Sequence, residues 1–278
     1  MTWKNSVCMP TGTFICPAVD DFVAEIDQSK QSAIDAFYIT TTEIATKATP
    51  EFFDQYGENI AGLLFVGLIS ATENYFRDIL GVILSICPIS QIHSADEKIQ
   101  LGSLLWGPKN LHNRTAFEFM AFSSAKNVKE TLQKFTKHTI AQNGGWNAML
   151  DEYDKLCEFR HAVVHSGHII AGKNAVKLRL KPSRRVMKFK LSYALLQSAA
   201  RVCTCFVQAA NNELFEMLVQ RWAVEWRKLP SWTQEQEILL KTIHESFLSK
   251  RDKKNKSILN GKSYPDFLDE VKLQFSLT

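Results

Sequence analysis

The sequence predicts an all-α fold: a helical bundle with one short β-hairpin insertion and a C-terminal helical extension. Apolar residues recur at helical spacing over most of the chain, between capping and breaking residues. Strand-type alternation is confined to one basic segment. The hydrophobic fraction of 45% and the charged fraction of 22% are ordinary for a globular protein. We expect a single domain over residues 1–278, with a core over about 20–220 and the extension over about 221–278.

Helices are predicted for most of the first hundred residues. The first is expected from Asp20 to about Lys47, where apolar residues lie near helical spacing. The Thr49-Pro50-Glu51 sequence favours a helix start, so a second helix is expected from Pro50 through Ile86, ending at Cys87-Pro88. The run from Ser94 to Glu97 has a capping-box pattern, which predicts that a shorter helix begins there.

The middle of the chain repeats this alternation of breakers and helices. A loop is predicted from Gly107 to Asn113, and an amphipathic helix from Ser124 to His138. A turn at Asn143-Gly144-Gly145 precedes a helix from Trp146 to about His165. A long apolar helix is expected from Ser192 to about Val219.

The β-hairpin is expected between the last two of these helices, within Ile169 to Leu191, with its turn at Pro182-Ser183. Its first strand alternates apolar and basic residues. The apolar side chains are expected to pack on the helices: Val176, Leu178 and Leu180. The basic side chains are expected on the exposed face: Lys177, Arg179 and Lys181. In the extension, a helix is expected from about Thr233 to Ser249, a charged mobile stretch from Lys250 to Lys256, and a docking segment from Tyr264 to Phe275.

Positive charge is concentrated in one part of the chain. The 54 residues from Phe159 to Asn212 contain ten basic residues and no Asp or Glu, whereas the remainder has 23 basic and 29 acidic residues. The segment therefore carries +10 and the remainder −6. Such a concentration favours a polyanionic ligand, most simply a nucleic acid backbone. The alternatives are a solvated basic surface and a docking site for an acidic inhibitor protein.

The composition argues against membrane, secreted and metal-binding classes. The most apolar region, Ile60 to Ile86, is interrupted by Glu73, Asn74, Arg77 and Asp78, so it predicts a buried helix rather than a membrane span. The first 17 residues hold one lysine and no long apolar run, unlike a signal peptide. Six cysteines are scattered, and Cys203-x-Cys205 has no second pair. We expect a cytoplasmic protein with reduced thiols and no cofactor.

One motif combines residue types that suit phosphodiester chemistry: Arg160-His161-Ala162-Val163-Val164-His165. Histidine titrates near neutral pH and exchanges protons, while arginine pairs with two phosphate oxygens at once. Five residues of helix turn by about 500°, so Arg160 and His165 are expected to point about 140° apart. Either the helix loosens at Ser166-Gly167, or the working site draws on two chains.

This motif fits R-x4-H with a polar residue after the arginine, and in this the chain resembles the HEPN superfamily of ribonucleases. The run from Glu73 to Leu80 resembles the acidic-then-basic stretch on an earlier long helix of several HEPN branches. The order of elements is also similar: long helices, the motif at a helix end, a short β excursion and a final long helix. The resemblance covers about residues 20–220.

The resemblance implies an antiparallel HEPN-type bundle that acts as a metal-independent endoribonuclease and leaves 2′,3′-cyclic phosphate ends. It implies a homodimer with two motifs facing one cleft, and a role as a toxin or in antiviral (anti-phage) defence, restrained by an antitoxin or regulatory protein. The catalytic residues would be Arg160, His161 and His165, supported by Glu73, Asn74 and Arg77. The residues expected to hold the RNA backbone are Lys177, Arg179, Arg184, Arg185 and Lys188.

Other interpretations fit the same residues. A HEPN-like module without catalytic activity would bind RNA or a partner protein. A metal-dependent hydrolase would use His161, His165 and His168, whose spacing suits a zinc site. Arg160 would have a purely structural role if it paired with Glu158 or Glu73. Glu73 and Arg77, four residues apart, are also typical of an ordinary pair along a helix.

Overall fold

The computed structural model describes Gly12 and residues 15–25, 31–108, 111–227, 232–255 and 263–277. Helices make up 72% of the structure and no strand occurs in these ranges, which confirms the all-α prediction. The chain divides into two units, residues 1–31 and residues 32–278. In the first unit, a 3-10 helix spans Val19–Phe22.

The second unit contains the α-helices of the bundle. They are α1 (Ala33–Lys47), α2 (Pro50–Ile86), α3 (Pro88–Ser94), α4 (Leu101–Trp106), α5 (His112–Thr115), α6 (Ala125–Thr136), α7 (Gly145–His165), α8 (Gly172–Lys177), α9 (Tyr193–Arg221), α10 (Gln234–Phe247), α11 (Lys250–Asn255) and α12 (Tyr264–Gln274). A π-helical turn, Trp222–Trp226, continues from α9.

Side-chain caps explain where the principal helices begin. The hydroxyl of Thr49 accepts a hydrogen bond from the Phe52 N–H at 3.2 Å, with Pro50 in the first turn of α2. Ser124 and Ser192 cap α6 and α9 in the same way. The predicted starts at these three residues are therefore confirmed. Within α2, Gly57 has φ 71° and kinks the helix, a conformation that glycine adopts without a steric penalty.

The core lies where α2, α7 and α9 meet, with α1 packed against α2 and α9. Phe76 of α2 is fully buried and stacks on Phe122, with ring centroids 5.5 Å apart. Phe206 of α9 lies 5.3 Å from Phe76 and 4.6 Å from Tyr153 of α7, again between ring centroids. These aromatic contacts fix α7 against the other two long helices, and α7 carries the Arg160 motif. α10 of the C-terminal extension also contacts α9, α2 and α1.

Three predicted boundaries differ from the structure. The first α-helix begins at Ala33 rather than Asp20, since only Val19–Phe22 is helical before it among the described residues. Residues 26–30 lie outside the described ranges. Ser94 ends α3 instead of opening a helix, because its hydroxyl bonds back to the Ser90 carbonyl at 2.7 Å. The loop expected at Gly107 to Asn113 contains the start of α5 at His112.

The charged stretch expected to be mobile, Lys250 to Lys256, is helical as α11 over Lys250–Asn255; Lys256 lies outside the described residues. Its Asp252 is buried and accepts a hydrogen bond from the Tyr38 hydroxyl at 2.9 Å. Asp35 of α1 accepts a second bond from the Ser249 hydroxyl at 2.7 Å. These polar contacts hold α11 on α1, so the prediction of mobility was wrong.

The predicted β-hairpin is not formed, and α8 includes Val176 and Lys177 at the start of its first strand. Lys177 ends that helix, and Arg179 follows in the left-handed region at φ 54°. Val176, expected to pack on the helices, is 77% exposed, whereas Leu178 does pack against the core. What remains of the expected pairing is an isolated antiparallel bridge between Ile169 and Lys188.

Within the described ranges, no single helix has the length and apolar composition needed to cross a membrane. α2 and α3 meet those criteria only when taken together, and the two are bent by 105°.

Candidate functional site

The two histidines of the motif lie side by side on the last turns of α7. The ring centroids of His161 and His165 are 4.8 Å apart and their planes are inclined by 49°. His161 is half-buried and His165 is exposed. α7 stays helical through His165 and ends just before Gly167, which has φ 55°. The helix therefore does not loosen between Arg160 and His165.

Arg160 directly precedes His161 in α7 and has no acidic partner among the described residues. Its side chain is half-buried, and its Nε is buried without a hydrogen-bond partner in the described part of the chain. The two acids that would have given it a structural role are engaged elsewhere: Glu158 pairs with Lys177, and Glu73 accepts a backbone hydrogen bond. A buried guanidinium N–H without an acceptor is a site where an anion would be stabilised.

The surroundings of His161 favour its neutral form. Partial burial lowers the pKa of His161 below its usual value, and the positive charges of Lys173, His165 and Arg160 lower it further. Glu158 acts in the opposite direction. At neutral pH, His161 is therefore suited to accept a proton.

Glu158 holds α8 against α7. Its carboxylate is buried and pairs with Lys177 Nζ, and its backbone carbonyl accepts a hydrogen bond from Asn174 Nδ2 at 3.4 Å. Asn174 is itself almost completely buried. Lys177, predicted to contact RNA, thus has an acidic partner within the protein.

The other basic residues predicted to hold RNA fall into two groups. Lys188 pairs with Glu58 of α2 at 3.2 Å. Arg179, Arg184 and Arg185 are exposed, and no ion pair joins any of the three to another described residue. These three arginines are therefore the members of the predicted set whose charge is available to a ligand.

The three supporting residues on α2 are engaged with the segment before α6. Glu73 is buried and accepts a hydrogen bond from the Phe122 N–H at 3.1 Å. Arg77 donates to Asn74 Oδ1 at 3.2 Å and to the Met120 carbonyl at 3.1 Å. Its guanidinium also lies 5.8 Å from the centroid of the Phe122 ring. These contacts position the chain between α5 and α6, and no hydrogen bond joins Glu73, Asn74 or Arg77 to the described motif residues.

We expect Glu73→Ala to lower the free energy of unfolding by about 1–3 kcal/mol, because the buried Phe122 N–H would lose its acceptor. Urea unfolding measures this change. Glu130→Ala on α6 removes an exposed carboxylate and should change stability by less than about 0.5 kcal/mol. Equal stability of the two variants would contradict the structural role of Glu73.

His168 does not join the other two histidines as a ligand set. It is buried, has φ 69°, and its ring stacks on Phe189 with centroids 6.5 Å apart. No group of three or more His, Cys, Asp or Glu side chains in the described ranges is placed to hold a metal ion. The zinc site considered from the spacing of His161, His165 and His168 has no support in this arrangement.

Gly62 is a residue of the site region that the sequence analysis did not single out. A Cβ atom at this position would lie 2.7 Å from His168 Nε2 and 3.3 Å from Val163 Cγ1. The absence of a side chain thus lets α2 approach the end of α7 closely. A glycine inside a helix lowers helix stability by about 1 kcal/mol relative to alanine. A glycine within a predicted helix is therefore a sequence signal that another element packs closely there.

Comparisons of the chain with models of protein families, with curated proteins and with solved structures found no match in any of the three.

Proposed function

We propose that the chain is a metal-independent endoribonuclease whose reacting groups are Arg160, His161 and His165. The observation that carries this proposal is the pair of accessible imidazole rings 4.8 Å apart, which follows in sequence an arginine that has no acidic partner among the described residues. Two groups that exchange protons and one fixed positive charge are what phosphodiester transfer requires without a metal.

The reaction assigns one role to each side chain. His161 accepts the proton of the 2′-hydroxyl, and the 2′-oxygen attacks phosphorus to form the new P–O bond. The P–O bond to the 5′-oxygen breaks, and His165 donates a proton to that leaving oxygen. Arg160 stabilises the negative charge that builds on the non-bridging oxygens. The products are a 2′,3′-cyclic phosphate and a 5′-hydroxyl, so no water is consumed in this step.

The proposal includes membership of the HEPN type. The motif lies at the C-terminal end of a long helix, α7, and residues 166–192, with α8 and an isolated β-bridge in place of the expected hairpin, lead to the long helix α9. That order supports the resemblance on which the homodimer, the cytoplasmic location and the toxin or defence role depend. These roles come by analogy, because a fold does not by itself determine a function.

The test is RNA cleavage by the purified chain in excess EDTA. We expect cleavage that the chelator does not reduce. Loss of cleavage in EDTA, restored by added metal, would contradict the metal-independent reaction. RNA binding without cleavage under any condition would identify the chain as a binding module instead. The matched control is the Arg160→Ala, His165→Ala double variant, prepared identically, which detects contaminating ribonuclease.

We expect the chain to be a homodimer, because exposed apolar side chains occur within the motif, just after it, and on α2 next to the glycine that approaches it. Val164 on α7 is 45% exposed, and Leu63 on α2, next to Gly62, is 62% exposed. Ile169, just after α7, is 47% exposed. A second copy placing its own motif across a shared cleft would cover this surface and bring Arg160 of one copy towards His165 of the other.

Analytical ultracentrifugation at micromolar concentration should give a dimer for the unmodified chain and a monomer for the Leu63→Asp, Val164→Asp variant. Leu273→Asp, which alters an 83% exposed leucine of α12, should leave the dimer intact. An unmodified monomer that cleaves RNA would contradict the two-chain site.

We expect Arg184→Glu with Arg185→Glu to weaken RNA binding and to reduce its salt dependence by somewhat under one unit per lost phosphate contact. Both arginines are exposed. Lys177 is left unchanged because its replacement would also break the pair with Glu158. Fluorescence anisotropy across a salt series measures both quantities, with Lys126→Glu and Lys129→Glu on α6 as the control for net charge. If both double variants lose the same RNA affinity, the segment around Arg184 and Arg185 is not part of the RNA-binding surface.

A further inference from the structure

Helical spacing places Lys173 on the same face of α8 as Lys177, the residue that pairs with α7. Lys173 and Lys177 are four residues apart and share one face of α8, while Glu158, His161 and His165 share one face of α7. The pair between Lys177 and Glu158 sets these two faces against each other. Because Lys177 at the end of α8 pairs with Glu158, the position one turn earlier on α8 falls towards the residues that follow Glu158, which places Lys173 on the side of His161.

The two lysines differ in whether their positive charge has an acidic partner. Lys177 is neutralised by the buried carboxylate of Glu158. Lys173 is exposed, and no hydrogen bond or ion pair joins its Nζ to another described residue. Its positive charge is nonetheless close enough to His161 to lower the pKa of that ring. The surface around Lys173, His161 and His165 thus collects positive charge, and Glu158, the acid that acts on His161, is already paired with Lys177.

Such a cluster is stabilised by an anion that contacts several of its members at once. We infer that Lys173 is a substrate-binding residue of the same site, whose ammonium contacts a non-bridging oxygen of the scissile phosphate. Lysine acts there as a point charge, whereas the Arg160 that the second copy of the proposed dimer brings to the site supplies a planar fork of donors. This inference deepens the proposed ribonuclease function and rests on it for the identity of the anion.

Lys177 has a different role, since it positions α8. Loss of Lys177 removes the partner of a buried carboxylate, and its effect should appear first in stability. Loss of Lys173 leaves the contacts between α7 and α8 in place and should appear first in phosphate binding and in the titration of His161. The two lysines, one turn apart on the same short helix, therefore provide an internal comparison.

The experiment compares Lys173→Gln, Lys173→Arg and the distant control Lys129→Gln, three proteins that should unfold at the same urea concentration as the unmodified chain. NMR titration of the ring C–H signals should give a higher pKa for His161 in Lys173→Gln, because a neighbouring positive charge is removed. RNA cleavage by Lys173→Gln should fall by about 10²-fold, as for loss of one donor to a developing oxyanion. Lys173→Arg should retain most of the activity, and Lys129→Gln should match the unmodified chain.

Titration with inorganic phosphate separates failure of this inference from failure of the proposed function. Phosphate should shift the His161 and His165 signals of the unmodified chain, with at least tenfold weaker binding to Lys173→Gln. If the unmodified chain cleaves no RNA but this difference holds, the ribonuclease proposal fails and the anion site stands. Full cleavage or unweakened phosphate binding in Lys173→Gln would overturn the assignment of Lys173, even with a raised His161 pKa.

Discussion

Replacing His165 or Arg160 by alanine is expected to lower RNA cleavage by roughly 10²- to 10⁴-fold, the usual effect of losing a proton-transfer or charge-stabilising group. His165 is exposed at the end of α7, and Arg160 forms no ion pair with another described residue. No hydrogen bond or ion pair joins either side chain to another described residue, so we expect the variants to remain folded dimers. His161→Ala should cause a loss in the same range.

Initial cleavage rates on one RNA, measured beside circular dichroism and ultracentrifugation, separate lost chemistry from lost folding. The matched controls are His93→Ala, an exposed histidine of α3, and Arg201→Ala, an exposed arginine of α9. Both should keep the activity of the unmodified chain. If His165→Ala and Arg160→Ala also keep it, the reacting groups lie elsewhere.

Gly62→Ala is expected to impair both stability and activity, although Gly62 itself performs no chemistry. The added Cβ would lie 2.7 Å from His168 Nε2, closer than such atoms approach in proteins. The imidazole has little room to move, because its ring stacks on Phe189 and its carbonyl accepts a 2.7 Å hydrogen bond from the Phe189 N–H. We expect a loss of about 1–3 kcal/mol in the free energy of unfolding, as for other overpacked sites.

The same replacement should lower RNA cleavage by up to about 10²-fold, because it pushes α2 away from the end of α7 and displaces His165. Gly102→Ala in α4 is the matched control, since nothing lies within 4 Å of a Cβ at that position. It should leave cleavage unchanged and leave stability equal or slightly higher. A Gly62→Ala protein as stable and active as the Gly102→Ala protein would show that this close approach is unimportant.

Local sequence signals were sufficient for the long helices. Thr49, Ser124 and Ser192 cap the helices that they were predicted to start, because the bond between a cap hydroxyl and an N–H three residues later depends only on neighbouring residues. The end of α2 at Cys87-Pro88 follows from the same local rules. The motif was accordingly placed at the correct end of the correct helix.

The strand prediction failed because its pattern was short. Alternation of apolar and basic residues over Val176 to Lys181 suits a strand, but in the structure Val176 and Lys177 end a six-residue helix and Arg179 lies in the left-handed region. What favours the helix is long-range: Lys177 pairs with Glu158 on α7, and Asn174 donates to the Glu158 carbonyl. The partner of both residues, Glu158, lies 19 residues before Lys177, outside the segment whose alternation predicted the strand.

Sequence patterns also could not reveal what Glu73 does. Its spacing from Arg77 suggested either a site-supporting pair or an ordinary helix pair, but its hydrogen-bond donor is the Phe122 N–H, 49 residues away. In the sequence, Lys173 is one of the ten basic residues between Phe159 and Asn212. Its position relative to α7 becomes apparent only once α8 is seen to pack there. Residues whose partners are distant in sequence were therefore the ones left unassigned.

The chemistry of the RNA ends tests the central proposal most directly. One labelled RNA is incubated with the purified chain in excess EDTA, and the termini of the fragments are identified by mass spectrometry and by their need for phosphorylation before ligation. Proton transfer by His161 and His165 predicts fragments with 5′-hydroxyl ends and fragments with 2′,3′-cyclic phosphate ends. These fragments should form equally with and without chelator. They should be absent with the Arg160→Ala, His165→Ala double variant. Fragments with 5′-phosphate and 3′-hydroxyl ends, formed only when metal is present, would contradict it.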